Sequence, residues 1–165
     1  MTRFADTIDR LTTAIGRGAA WLVLAIVLLQ FALVLARYVF GLGSIWLTET
    51  VIYGHATLFL LASAWTLRAG GHVRVDIFYA DAAPRTRAIV DLAGALLLLP
   101  FALVLLWLAA PYAARSWAVL ERSQETSGLP LVFVLKTLIP LFAVMMALQG
   151  AAQAVRAVQA LTGKR

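Results

Sequence analysis

The sequence predicts an all-α integral membrane protein of four transmembrane helices, and three observations lead there. Four apolar stretches, Gly18 to Ala36, Thr48 to Leu67, Ala88 to Ala110 and Leu129 to Gln149, occupy most of the 165 residues. A helix rises about 1.5 Å per residue and a bilayer core is about 30 Å thick, so each stretch has the length of one span. Composition agrees: 62% of the residues are hydrophobic, 13% are charged, and the mean hydropathy is +0.89. A water-soluble domain holds far more charge. The basic residues, finally, alternate in step with the spans. Arg3, Arg10 and Arg17 precede the first, Arg68, Arg74, Arg85 and Arg87 lie between the second and third, and Arg156, Lys164 and Arg165 follow the fourth. Arg37, Arg115 and Arg122 fall on the other side, and Lys136 lies within the fourth run. Cationic loops stay cytoplasmic, so both the N-terminus and the C-terminus are expected there. Little chain is left for a soluble domain, and residues 1–165 are expected to form a single membrane domain.

Taken in order, the elements begin with Phe4, Ile8, Leu11 and Ile15 at helical spacing, with Asp6, Asp9 and Arg10 on other faces. That pattern fits a short N-terminal amphipathic helix along the inner membrane surface, or equally an extension of the first span. The first apolar run is too long for a signal-peptide core and reads as a retained anchor. Gly41, Gly43 and Ser44 make a tight turn between Tyr38 and Leu47, which forces the first two helices antiparallel. The second helix is the most polar. Glu49, Tyr53 and Thr57 share one face, and Thr48, His55, Ala62 and Thr66 form a neighbouring stripe. Hydrocarbon offers such groups no hydrogen bonds, which predicts a helix central in the bundle or at a subunit contact. Gly70-Gly71 ends it, and Asp81 and Pro84 mark the following loop. The third helix carries Pro100 and Pro111. The fourth has Pro130 near its start, where proline is tolerated, and Pro140 inside, where a kink is expected. Trp21 and Trp65 fall at inner ends of spans, and Tyr38, Trp46, Tyr112 and Trp117 near outer ends, as interfacial rings do.

The inventory of reactive groups is thin. The chain has two histidines, eight acids and no cysteine, which excludes disulfides, thiolate metal sites and thiol nucleophiles. His55 and His72 are about 25 Å apart along a helix and cannot share a metal or haem. An interhelical hydrogen bond is the reading for His55, with a proton or ligand role as the alternative. No phosphate-binding loop or nucleophile motif appears, so no enzyme activity, cofactor or metal site is expected. The net charge of +6 raises nucleic-acid binding, but a basic set that follows membrane topology is an orientation signal, and no nucleic-acid partner is expected. Glu49 stands at the outer mouth of the second helix and Lys136 about two turns into the fourth from the same side. They pair with each other, or Lys136 pairs with Glu121 or Glu125, or it snorkels outward. Asp91 lies near the inner start of the third helix. None of these is at mid-bilayer, and no pair of broken helices is apparent, which disfavours a self-sufficient ion-coupled carrier. The segment RAGGHVRVDIFY, Arg68 to Tyr79, sets His72, Arg74 and Asp76 against Val73, Val75 and Ile77 with the period of a strand. It equally suits an interfacial piece, or a basic loop touching lipid phosphates.

Three segments resemble the small membrane subunit of tripartite ATP-independent periplasmic (TRAP) transporters, the DctQ-like family. They are Arg37-Tyr38-Val39-Phe40-Gly41 with Ser44, Trp46 and Glu49; Gly70-Gly71-His72-Val73-Arg74-Val75-Asp76; and Glu121-Arg122-Ser123 with Glu125, Gly128-Leu129-Pro130, Lys136, Pro140 and Gln149-Gly150. Many relatives carry paired acids where this chain has Thr48-Glu49. The resemblance implies a multi-pass protein of the bacterial inner membrane. Its partners would be a large membrane subunit on a separate chain, a periplasmic substrate-binding protein and membrane lipids. The large subunit would hold substrate and sodium and move as an elevator, with this chain as a fixed scaffold for uptake of an organic acid or related solute. Glu49 and Lys136 are then expected to fix packing near the outer surface. His72, Arg74 and Asp76 would pin the inner loop to headgroups or to the large subunit, and Glu121, Arg122 and Glu125 would meet the binding protein. Two other classes compete: a self-contained small four-helix exporter, disfavoured because the first span holds Gln30 but no acid, and a membrane anchor of a redox complex, disfavoured by the distant histidines.

Overall fold

The computed structural model describes residues 2–72, 79 and 81–163, and these are helical apart from their connections. Four helices follow one another: α1 (Thr2–Phe40), α2 (Ile45–Arg68), α3 (Pro84–Ala118) and α4 (Val132–Thr162). Each is long and apolar enough to cross a membrane. The chain runs up and down, so one end of the bundle carries both termini and the far end carries the 41–44 and 119–131 connections.

Local chemistry sets the boundaries. Gly41 ends α1 with φ +66°, a left-handed conformation that glycine adopts freely, and the next amide, Leu42 N, returns to Ala36 O at 2.9 Å. Ser44 then caps α2, its hydroxyl accepting from Leu47 N at 3.3 Å. Gly70, at φ +71°, follows the C-cap of α2 as the glycine pair predicts. Pro84 opens α3 at its first turn, where the missing N–H costs nothing. Pro130 precedes α4 instead of lying near its start, because the first helical residue is Val132. Helical residues continue through Pro100, Pro111 and Pro140. Of the two readings of the N-terminal segment, a surface amphipathic helix or an extension of the first span, the structure has the extension: it is the unbroken beginning of α1. Its inward face is also different: Ala5, Ile8 and Thr12 are buried, while Phe4 and Leu11 are about half exposed.

The central helix is α4, not α2. It packs against the other three, α1 also packs on α2, and α3 packs on α4 alone. Among the described residues the backbones of α2 and α3 do not approach closely. The reason lies in side-chain size. On α3 the buried residues Ala88, Ala95, Ala102, Ala109 and Ser116 recur at every seventh position, as do Ala5, Thr12, Ala19 and Ile26 on α1. A seven-residue repeat holds one seam of a helix against its neighbour, and small side chains let backbones approach where lipid gives no hydrophobic drive. The facing surface of α4 answers with Ala143, Gly150, Ala152 and Ala157. A Cβ on Gly150 would stand 3.2 Å from the Leu98 side chain. At the centre Ala64, Ala102, Met145 and Met146 form one core, with α2, α3 and α4 all contributing. Gly16 admits α1 to Trp65, since a Cβ there would overlap the indole.

Candidate functional site

Two polar clusters, one at each end, hold most of the ionisable side chains that meet across helices. At the end carrying the termini, Asp9 of α1 is the hub. Its carboxylate pairs with Arg68 Nε of α2 at 3.1 Å and with Arg156 of α4. Gln149 Nε2 donates to the other carboxylate oxygen at 3.2 Å, and the Gln149 carbonyl accepts from the Thr12 hydroxyl at 3.1 Å. Gln149 is fully buried, so its amide needs these partners. Arg68 also donates to Thr13 Oγ1 at 2.7 Å, and Gln153 Nε2 to Leu67 O at 3.3 Å. One acid thereby ties three helices at a single level. The Asp9 side chain is 14% exposed against 37% and 39% for its two arginines, so the carboxylate is the sheltered partner while the guanidinium groups still reach solvent.

At the far end, Glu49 of α2 organises a loop. Its carboxylate accepts from the Ser123 hydroxyl and from Leu129 N at 2.5 Å. The loop closes on itself through Ser123 N to Leu129 O at 3.1 Å and Gly128 N to Glu125 O at 3.0 Å. Gly128 is required by space: a Cβ would collide with Ser123 Oγ and stand 2.8 Å from Glu49 Oε1. Beside it, Lys136 Nζ donates to Glu121 Oε2 at 2.6 Å and sits 4.3 Å above the Tyr112 ring. The hydrogen bond from Lys136 holds the Glu121 carboxyl below its ordinary value of 4.5. Trp117 Nε1 donates to Thr137 Oγ1 at 2.7 Å, linking the end of α3 to α4. Tyr53 brings a buried hydroxyl without a partner among the described residues.

Of the open pairings for Lys136, the structure selects Glu121; Glu49 binds the loop instead of the lysine. Arg122 and Glu125 are exposed on that loop. His72 places Nε2 3.2 Å from Ser63 O, and Arg74 and Asp76 lie outside the described residues, as does most of the strand-like segment. Tyr79 bonds both oxygens of Asp91 at 2.9 Å. The expected interhelical hydrogen bond of His55 is absent among the described residues: the ring is exposed and stacks on Phe59, centroids 6.0 Å apart. Its position on α2 turns it away from α1 and α4. Sequence reasoning missed Asp9, Gln149 and Arg156. The signal was there in part, since an amide inside an apolar run implies a polar partner at the same depth. Among the described residues no three histidine, aspartate or glutamate side chains converge as metal ligands.

The fold and both clusters define a multi-pass helical membrane protein whose polar groups bind helix to helix and loop to helix. The family model for tripartite ATP-independent periplasmic transporters, DctQ component, matches residues 7–160, and the chain belongs to that family. It is thus a TRAP transporter small permease component. No curated protein and no solved structure matches it.

Proposed function

We propose that the chain is a non-catalytic scaffold within its transporter, a single membrane domain in the bacterial inner membrane with both termini cytoplasmic. It braces a large elevator-type subunit that carries out sodium-coupled, binding-protein-dependent uptake of an organic acid or related small solute. The observation that carries this reading is the pair of clamps: ionisable side chains are consumed in cross-helix and loop contacts at the two ends. A brace needs fixed helices, and a carrier needs ionisable groups facing a pathway. The exposed Arg122 and Glu125, on the loop that Glu49 shapes, are the binding-protein contact, with Glu121 turned aside to Lys136. His72, with Arg74 and Asp76, marks the cytoplasmic surface.

Reconstitution tests it. Liposomes holding this chain alone accumulate no solute under a sodium gradient, and uptake appears when the large subunit and binding protein are added. Uptake by this chain alone would refute the scaffold role. Charge reversal at Glu125 weakens capture of the binding protein and leaves the membrane complex assembled; unchanged capture would remove that contact.

A further inference from the structure

Three helices expose broad faces, and they differ in kind. On α3 the outward residues Leu97, Phe101 and Val104 are all hydrocarbon, and on α1 Val27, Leu28 and Phe31 surround one exposed amide, Gln30, on a flexible side chain. Lipid suffices to cover the α3 face. On α2 the outward residues Thr48, Ile52, His55 and Phe59 follow at i, i+4, i+7 and i+11, one side of a helix. Thr48 satisfies its hydroxyl on Ser44 O at 2.9 Å, and Ser63, further along, bonds Phe59 O. His55 has no such recourse, because a histidine ring does not reach back to its own helix carbonyls as a hydroxyl does. It lies roughly 15 Å from the start of α2 at 1.5 Å per residue, near the middle of a span. Nothing in hydrocarbon can bond its ring nitrogens. Most of α2 is half-buried against α1 and α4, and the strip that stays exposed in mid-helix is the one that carries His55.

We infer that this face of α2, centred on His55 and Phe59, is where a transmembrane helix of the large membrane subunit packs, presenting a hydrogen-bonding group to the His55 ring. The inference rests on the scaffold reading and specifies its contact. A second copy of this chain fits less well. Identical helices approach through small residues, whereas this face projects Ile52 at 53% and Phe59 at 67% exposure. Protruding side chains of that size suit holes in a different surface.

The chain has no cysteine, so single probes are clean. Phe59→Cys, Leu97→Cys and Val27→Cys, each labelled with a benzophenone maleimide, are irradiated in membranes co-expressing the large subunit. An adduct with the large subunit is expected from Phe59→Cys and not from the other two. His55→Leu should lower recovery of the large subunit with the tagged chain about five-fold, and His55→Gln, which keeps a hydrogen bond, by less than about two-fold. An adduct between two copies of this chain, or large-subunit adducts from Leu97→Cys or Val27→Cys without one from Phe59→Cys, would overturn the assignment, as would full recovery with His55→Leu. Failure of the unsubstituted chain to retain the large subunit would instead defeat the scaffold reading itself.

Discussion

The two ends of the bundle are held by the same chemistry put to different purposes. Around Asp9 every partner sits on a helix, so the contacts fix how α1, α2 and α4 stand relative to one another. Around Glu49 the partners belong to the 119–131 connection, so the contacts fix the shape of a surface. An acid bonded to side chains on other helices sets register; an acid bonded to a backbone amide in a loop sets conformation. The first belongs to the interior of the bundle and the second to one of its end surfaces.

Breaking the hub should separate the two most sharply. Asp9→Ala leaves two arginines, each more than a third exposed, and the buried Gln149 amide without their acceptor, and we expect a loss of about 2 kcal/mol. Thermal unfolding of the detergent-solubilised chain reads it, and a melting temperature equal to wild type would disprove the hub. Glu49→Gln comes next, at about 1–2 kcal/mol, because one charge-assisted acceptor becomes an amide. Hydrogen exchange should quicken in residues 121–131 and stay unchanged around Thr12; the reverse pattern would erase the contrast between the ends. Gln149→Leu should cost about 1 kcal/mol or a little more, since it removes the bonds to Thr12 and to Asp9, and adding Thr12→Val should cost little further, because the bond the two share is already gone. Additive losses in that double variant would show the bond to be unimportant.

The smallest effect belongs to the half-buried pair Glu121–Lys136, a single contact at the end of the bundle. Its folded carboxyl lies below the ordinary 4.5, so the contribution is in force above that pH and disappears as pH falls through the folded value. Melting temperatures of wild type and Glu121→Gln should therefore converge in acid below about pH 4.5 and differ slightly at neutrality. A gap that stayed constant with pH would sink the pairing as its source.

Much of the architecture was legible in residues alone. The four spans, the turn at Gly41 to Ser44 and the stop at Gly70-Gly71 all follow from local rules of length, capping and left-handed glycine. Polarity left α2 either central in the bundle or at a subunit contact, and within this chain the centre is α4. Polarity says that a helix needs protein contact but not whose, and α4, with its glycine and alanines, has the closer packing surface within this chain. The Glu121–Lys136 pair was among the options and only distance chose it. Asp9 and Arg156 stand 147 residues apart in sequence, and no local pattern connects them.

What the sequence by itself determined is the solvent this protein lives in and the number of times it crosses: hydropathy and helix rise act residue by residue and need no partner. What only the tertiary structure decided is which helix stands in the middle and which charges meet. Those choices depend on how closely two backbones can approach, and that is set jointly by side chains far apart in the chain.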